Sequence, residues 1–205
     1  MSLQNKQPES KQLLAKYWAT GKKFHAKTLS FIKKYNNKII VIKYGGYALT
    51  KPALLRSFAK NISLLNQLGI KVIVVHGGGP QIEKELKKRK INNEEYQGLR
   101  VTTKSVLGVV KRILSHDLNK LISDEIKKNG GKTKRLNGVS TKVLKAKIAM
   151  NGNIGFVGEP RGIDKNIIMK ALKSNHIPII APLGVDANNN TLNVNADTAA
   201  AYIAE

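Results

Sequence analysis

The chain has 205 residues, 36 lysines and arginines against 13 acidic residues, and a formal net charge of +23. It has no cysteine, which excludes disulfides and thiolate metal sites and fits a reducing compartment. No apolar run approaches the length of a membrane span, and the start lacks the uninterrupted apolar segment of a secretory signal, so we expect a soluble intracellular protein without a membrane partner.

The positive charge does not by itself indicate a nucleic acid partner. Only six of the 36 basic residues are arginines, and the lysines are spread along the chain. No helix-turn-helix or RNA-recognition motif is visible. A basic nucleic-acid-binding protein is one alternative, but the pattern favours lysines on solvated faces.

An apolar stripe precedes the first predicted strand. Its members recur every three or four residues and include Leu14, Tyr17, Trp18, Phe24, Phe31 and Tyr35. This spacing predicts an amphipathic helix, which could pack on its own domain or bury its aromatic side chains against another subunit. We therefore divide the chain into a tail and amphipathic helix, residues 1–36, and one domain, residues 37–205.

Strands and helices then alternate along the chain. The predicted elements are a strand over 38–44, a helix that Thr50 caps and Gly69 ends, a buried strand over 71–75 and a helix over 81–89. The first of these helices is predicted to bury Ala53, Leu54, Phe58 and Ile62. Such a series builds a parallel sheet with helices on both faces.

Residues 92–103 break this alternation and predict an irregular or hairpin segment. The elements predicted after it are a helix over 104–129, strands over 132–136, 142–148 and 154–157, a helix over 166–174, a buried strand over 177–181, a polar turn over 186–190 and a helix N-terminus over 193–200. Together the elements predict an α/β fold, a three-layer αβα sandwich with a mainly parallel central sheet.

Two of the predicted strands end in glycine-rich turns, which we call the glycine corners. One corner is Gly45 and Gly46, reached from a strand that carries Lys43, and the other is Gly77, Gly78 and Gly79. Glycines let a ligand approach the bare backbone, and the helix after the second corner turns its free N–H groups and positive dipole end to the same place. The two corners together indicate phosphate or carboxylate chemistry.

Five segments in their order and spacing resemble N-acetylglutamate kinase, an enzyme of arginine biosynthesis with the amino acid kinase fold. They are Ile42–Gly46, Val75–Ile82, Gly98–Thr102, Gly155–Glu159 and the run from Ile177 through Pro182–Val185 to Asn193–Ala200. The resemblance implies transfer of the γ-phosphoryl group of ATP to the side-chain carboxylate of N-acetyl-L-glutamate. It also implies that Mg²⁺ enters with the nucleotide, and no metal ligand is assigned to the chain.

The resemblance assigns a role to each matched residue. Lys43 would neutralise charge on the transferring group, and Asp197 would orient the active-site lysines. Arg100 and Asn193 would hold the substrate, Arg100 by its α-carboxylate. The glycines Gly45, Gly46 and Gly77 would bind phosphate, and Gly78 and Gly79 would bind substrate. Of these, Gly45, Gly46, Gly78 and Gly79 would offer backbone N–H donors.

Each of these residues also has a structural alternative. His76 is interpreted as a hydrogen-bonded structural residue, because a carboxylate nucleophile needs no base. For the others the alternatives are a solvated strand-end lysine at 43, an ion pair of Arg100 with Glu94 or Glu95, and helix capping by Asn193 or Asp197.

The sequence departs from the family in two respects. A family loop that usually reads Gly-Lys-Asp-Gly is here Gly138-Val139-Ser140-Thr141. The family's C-terminal nucleotide-binding part, with its second catalytic lysine, is not in the 205 residues. We therefore expect a fragment or an inactive descendant that binds N-acetylglutamate weakly without turning over ATP, and a non-catalytic subunit that keeps the pocket is the alternative.

The resemblance also carries expectations about partners and location. It implies a homodimer, and a hexamer if the N-terminal helix links dimers as it does in arginine-inhibited members. Nothing in the sequence supports or excludes a PII-type signalling partner. The expected location is the cytoplasm, or an organelle stroma if the gene is organellar.

Overall fold

A computed structural model of the chain describes residues 33–205. In chain order its strands are β1 (Ile39–Tyr44), β2 (Lys71–His76), β3 (Glu95–Tyr96), β4 (Leu99–Arg100), β5 (Thr133–Asn137), β6 (Leu144–Ile148), β7 (Val157–Ile163), β8 (Ile177–Ala181), β9 (Leu183–Val185) and β10 (Thr191–Val194). Its helices are α1 (Pro52–Gln67), α2 (Gly79–Lys88), α3 (Lys104–Lys111), α4 (Asn119–Lys128), α5 (Lys165–Lys173) and α6 (Ala196–Ala204).

The centre of the domain is a four-stranded parallel sheet in the order β1-β2-β8-β5. Val72 and Val74 of β2 pack against α1 to α4, whereas Ile73 and Val75 pack against α5 and α6. Helices therefore cover both faces, which explains why the four central residues of β2, Val72–Val75, are all apolar rather than alternating. The predicted three-layer α/β sandwich with a mainly parallel sheet is confirmed.

A second, smaller sheet was not predicted. Strands β6, β7, β9 and β10 close on themselves, with two parallel and two antiparallel pairings. Its interior is narrow: a Cβ at Gly184 would stand 2.6 Å from Cβ of Ala146. This sheet matters for function because β10 ends beside the glycine corners, so that the first turn of helix α6 lies next to them.

The predicted long helix over 104–129 is present but is not uniformly α-helical. A π-helical segment, Arg112–Leu118, joins α3 to α4. Leu114 and Leu118 of this segment lie on Gly78, where a Cβ would stand 2.7 Å from each of the two side chains. The irregular helical segment therefore packs directly on the second glycine corner.

Several predicted boundaries were wrong. Lys51, not Thr50, precedes α1, and the Thr50 hydroxyl donates to the carbonyl of Tyr47 at 2.7 Å. Ala53 and Leu54 are exposed, because α1 buries the stripe that begins at Leu55. The error about Ala53 and Leu54 arises because the buried face of α1 also includes the polar residues Ser63 and Asn66, which apolar spacing does not mark.

The predicted strand over 154–157 was also misplaced. Strand β7 begins at Val157, and the residues before it bond to Thr102 instead: Thr102 N–H donates to Ile154 O at 2.9 Å and Phe156 N–H donates to Thr102 O at 2.8 Å. This crossing ties the β3–β4 hairpin to the small sheet. It therefore fixes the position of Arg100 relative to β10.

The amphipathic helix predicted within residues 1–36 lies almost wholly outside the described residues, and the division of the chain at residue 36 stays a prediction. Within residues 33–205, no helix has both the length and the apolar character that crossing a membrane requires.

Candidate active site

The two glycine corners are in contact. Strands β1 and β2 are parallel neighbours in register, with Lys43 opposite Val75 and Tyr44 opposite His76, so their carboxyl ends meet at one edge of the sheet. A Cβ at Gly46 would stand 2.9 Å from the backbone nitrogen of Gly79. Only glycine at position 46 permits this approach of the two backbones.

The backbone amides of the corners differ in their availability. Gly77 donates its N–H to Tyr44 O at 2.9 Å, so this amide is occupied within the protein. Within residues 33–205, the N–H groups of Gly45, Gly46, Gly78 and Gly79 have no recorded acceptor. These four amides are therefore candidate donors to an anion.

The N-terminus of α2 is open to a ligand. Gly78 occupies the N-cap position and no side chain caps the helix. In contrast, the side chain of Asn195 caps α6 and accepts from the N–H groups of Asp197 and Thr198 at 2.9 and 3.0 Å. The positive end of α2 is therefore left for a bound anion, whereas that of α6 is satisfied by the protein.

All nine predicted site residues line one cavity of about 330 Å³. They are Lys43, Gly45, Gly46, Gly77, Gly78, Gly79, Arg100, Asn193 and Asp197. The cavity gathers the ends of β1, β2 and β10, the hairpin β3–β4 and the first turns of α2 and α6. The fold thus brings together residues that lie more than 150 positions apart in the sequence.

Lys43 and Asp197, which both line the cavity, form an ion pair. Lys43 Nζ lies 2.9 Å from Asp197 Oδ1, and the two side chains are 37% and 70% exposed. Strand β1 is at the edge of the sheet, so the lysine is not the buried charge that an apolar strand predicted. An exposed pair of this kind contributes little to stability but holds the ammonium group over Gly45.

Arg100 is a half-buried cation without an ion-pair partner among residues 33–205. Its Nη1 atom is buried and has no hydrogen-bond acceptor in that part of the chain. Burial lowers the pKa of the guanidinium below its ordinary value, and the charges of Glu95 and Glu83 partly oppose that effect. The predicted alternative, an ion pair with Glu94 or Glu95, is not formed.

Asn193 is linked to the strand that carries Arg100. Its Nδ2 donates to Thr102 Oγ1 at 3.1 Å, and the Thr102 hydroxyl donates to Arg100 O at 2.9 Å. Thr102 is fully buried. Sequence reasoning did not single out Thr102, although it lies two residues after Arg100 in a recognised segment.

The capping alternatives for Asn193 and Asp197 were wrong. Asn193 belongs to β10, and the helix that follows is capped by Asn195. Asp197 lies in the first turn of α6, and its carboxylate is free to pair with Lys43. Asn195 also lines the cavity and was missed, because its side chain carries no signal in the sequence beyond its position before a helix.

The loop Gly138–Thr141, which departs from the family pattern, is held by the residue before it. Asn137 Oδ1 accepts from Ser140 N–H at 2.8 Å, and Thr141 Oγ1 donates to Asn137 O at 2.6 Å. Gly138 lies directly against the backbone of Leu183. The loop therefore has a defined structure, held by its own polar groups.

A larger cavity of about 590 Å³ lies elsewhere, between β1, α5 and α6. Its lining is mostly aliphatic, for example Ile39, Ile168 and Ile203. The smaller cavity is the better candidate for chemistry, because free amides, a lysine and an unpaired arginine converge there. Within residues 33–205, no three His, Asp or Glu side chains are grouped so as to hold a metal ion.

Comparison with known protein families gives an independent description of this domain. The family described as "Amino acid kinase family" matches residues 38–205. This range contains every predicted site residue.

Comparison with individual proteins points in the same direction. Acetylglutamate kinase from Psychrobacter cryohalolentis is 41% identical over 188 residues, which cover 86% of this chain and 63% of that enzyme. The chain thus spans less than two thirds of the length of this relative.

Solved structures share the fold. The crystal structure of smu.665 from Streptococcus mutans superposes with a TM-score of 0.75 at 31% identity, covering 81% of this chain and 67% of that one. N-acetylglutamate synthase from Neisseria gonorrhoeae, complexed with coenzyme A and N-acetyl-glutamate, superposes with a TM-score of 0.75 at 21% identity, covering 86% of this chain and 41% of that one. The second likeness shows the fold alone.

Proposed function

The chain belongs to the amino acid kinase family, and on this premise we propose that it carries the acetylglutamate-binding part of an acetylglutamate kinase. The proposal is supported by the 41% identity to an enzyme of that name. It is supported further by a cavity whose free donors are suited to carboxylate and phosphoryl oxygens.

The proposed reaction joins two anions. A side-chain carboxylate oxygen of N-acetyl-L-glutamate attacks the γ-phosphorus of ATP, the bond from that phosphorus to the β–γ bridging oxygen breaks, and an acyl phosphate and ADP result. The attacking carboxylate is already deprotonated, so no general base is needed. Catalysis then depends on alignment of the reactants and on neutralising their charge.

The glycine corners and Lys43 serve the transferring group in this proposal. The four free amides of Gly45, Gly46, Gly78 and Gly79 can donate to oxygens of the carboxylate and the phosphoryl group. Lys43 adds a positive charge at the same place, and Asp197 holds its ammonium group by the 2.9 Å ion pair. Donors fixed in advance by the fold stabilise developing charge without reorganisation.

The identity of the proposed substrate is inferred mainly from Arg100. Arg100 lines the cavity, and its buried Nη1 has no acceptor among residues 33–205, a costly arrangement that a carboxylate bound to the guanidinium would relieve. We assign the α-carboxylate of N-acetylglutamate to Arg100 and place Asn193 beside it, held by Thr102. This unpaired arginine is the single observation on which the proposal chiefly depends.

Several features of the whole protein follow only as parts of the proposal. ATP is the phosphoryl donor, and its Mg²⁺ enters with the nucleotide and offsets phosphate charge. The free amides fit the phosphates, and no residue of the described chain is assigned to the metal. The resemblance to N-acetylglutamate kinase also leads us to propose a homodimer, a hexamer formed through the N-terminal helix, and a cytoplasmic location.

The proposal is tested by calorimetric titration of N-acetyl-L-glutamate into the purified chain, with L-glutamate and N-acetyl-L-glutamine as matched controls. Binding of N-acetyl-L-glutamate in preference to both controls supports it, and equal binding or none contradicts it. A coupled assay of ADP release dependent on N-acetylglutamate then separates an active kinase from a non-catalytic subunit that keeps the pocket.

A further inference from the structure

A line of polar side chains runs beneath the second glycine corner. Arg135 of β5 donates through Nε to Asn119 Oδ1 at 2.9 Å, Asn119 Nδ2 lies 3.2 Å from His76 Nε2, and His76 Nδ1 lies 3.1 Å from Gly77 O. His76 and Asn119 are fully buried. The line therefore connects the far edge of the sheet to the backbone of the corner.

The direction of every hydrogen bond in this line is fixed by Arg135. A guanidinium group only donates, so the atom of Asn119 that faces it must be the carbonyl oxygen. The amide nitrogen of Asn119 therefore faces His76, and it also donates to Ile179 O at 2.9 Å. His76 Nε2 must then accept, which leaves the imidazole proton on Nδ1 for donation to Gly77 O.

Burial keeps this imidazole in its neutral form. Desolvation lowers the pKa of His76 to about 4, although its bond to Gly77 O acts in the opposite direction. A second proton on Nε2 would also point at the amide hydrogens of Asn119. His76 thus holds a single tautomer, the one that donates to Gly77.

This donation constrains the peptide between Gly77 and Gly78. In a trans peptide the C=O and the following N–H point in opposite directions. A Gly77 carbonyl held towards His76 leaves the Gly78 N–H on the other side of the peptide, and that N–H has no recorded acceptor within residues 33–205. Leu114 and Leu118, which belong to the π-helical segment, cover Gly78.

We propose that His76, oriented by Asn119 and Arg135, is a positioning residue that holds the Gly77–Gly78 peptide with the Gly78 N–H turned into the cavity. The inference rests on the proposed function for the identity of the anion, but not for the geometry. His76 itself touches no substrate. Its contribution is to fix in advance a donor that a glycine-rich turn would otherwise leave free to rotate.

The first test needs no substitution. A long-range ¹H–¹⁵N spectrum of the uniformly labelled chain at pH 7 reports which nitrogen of each imidazole carries the proton. We expect His76 to be protonated at Nδ1 and bare at Nε2. Protonation at Nε2 would overturn the proposal whatever the protein binds.

The second test compares two variants of His76. His76→Asn keeps an N–H near the position of Nδ1, whereas His76→Leu removes it. We expect the affinity for N-acetyl-L-glutamate to fall about ten-fold in His76→Leu and to stay within about three-fold of the parent in His76→Asn, the difference one hydrogen bond makes. Equal loss in both variants, or none in His76→Leu, would contradict the positioning role.

The backbone amide of Gly78 separates failure of this inference from failure of the proposed function. Its ¹H–¹⁵N resonance in the ligand-free chain should move in His76→Leu and stay close to that of the parent in His76→Asn. If the parent chain does not bind N-acetyl-L-glutamate, the proposed function fails while this measurement still decides the role of His76. An unmoved Gly78 resonance in a folded His76→Leu variant rejects that role.

Discussion

Gly46 lies so close to Gly79 that a Cβ on Gly46 would stand 2.9 Å from the Gly79 backbone nitrogen. The two residues belong to separate strand–helix junctions, 33 positions apart in the chain. Their contact turns two glycine-rich turns into one surface of free amides. The proposed phosphoryl transfer depends on this surface.

Gly46→Ala should separate the two corners and weaken anion binding. The added methyl group would meet backbone atoms of Gly78 and Gly79 and the ring of Pro80 at about 3 Å, so the turns must shift. We expect at least a ten-fold loss of affinity for N-acetyl-L-glutamate by calorimetry, since displacement of preorganised donors typically costs this much or more.

Gly108→Ala is the matched control for that substitution. Gly108 lies in α3, exposed, with open space around its Cα. Alanine there should leave affinity unchanged and raise the free energy of unfolding by about 0.5–1 kcal/mol. Loss of affinity in both variants would show that the assay reports general destabilisation rather than the glycine contact.

Arg100→Met should weaken binding without weakening the fold. The guanidinium is half-buried and Nη1 has no acceptor in the described chain, so an unbranched apolar side chain removes a desolvation cost. We expect an unchanged or higher free energy of unfolding in urea, and a loss of about 1.5–3 kcal/mol in binding of N-acetyl-L-glutamate. A marked loss of stability would instead indicate a structural role.

Lys43→Ala should affect the reaction far more than the fold. The Lys43–Asp197 pair is exposed, so its loss should change the free energy of unfolding by less than about 1 kcal/mol. In the active kinase, ADP release should fall by about 10²–10³-fold, the usual effect of removing one preorganised donor. Unchanged kcat in this variant would remove Lys43 from the mechanism.

Stability should fall as the pH is lowered from about 6.5 towards 4, in part through His76. Its pKa is lowered to about 4 by burial, so the unfolded chain takes up the proton first and the folded state is fully favoured only above the ordinary histidine pKa. At pH 4.5, His76 should have lowered the free energy of unfolding by roughly 2–3 kcal/mol relative to neutral pH.

Urea unfolding at pH 7.5 and pH 4.5 measures this linkage. The difference between the two free energies of unfolding should shrink in His76→Asn and persist in His176→Asn, because His176 is only partly buried and hydrogen-bonds locally to Ser174. Carboxylates contribute equally to parent and variants. Identical pH dependence in parent and His76→Asn would contradict the neutral, buried state of His76.

The arrangement of the site could be predicted where it follows from strand order alone. The carboxyl ends of parallel neighbouring strands lie at the same edge of a sheet. Pairing of β1 with β2 therefore places Lys43 and the two glycine corners close together. Arg100 and Asn193 were placed by resemblance rather than by periodicity. The structure brings them to the same cavity through the crossing of Thr102 with Ile154 and Phe156.

The features that the sequence did not predict depend on contacts between distant segments. Whether the Gly77 amide is free depends on Tyr44 O across the sheet, and the exposure of Lys43 depends on β1 being an edge strand. The π-helical segment over Arg112–Leu118 has the same apolar periodicity as a regular helix. No local pattern distinguishes these cases.

Calorimetric titration of N-acetyl-L-glutamate into the parent chain, Arg100→Lys and Arg89→Lys tests the central claim most directly. Arg89 is exposed, pairs with Glu85 outside the cavity and serves as the control. We predict binding by the parent and Arg89→Lys and at least about ten-fold weaker binding by Arg100→Lys, because a lysine cannot replace the planar fork. No binding by the parent, or equal affinity in all three, would contradict a carboxylate site built from Arg100 and the glycine corners.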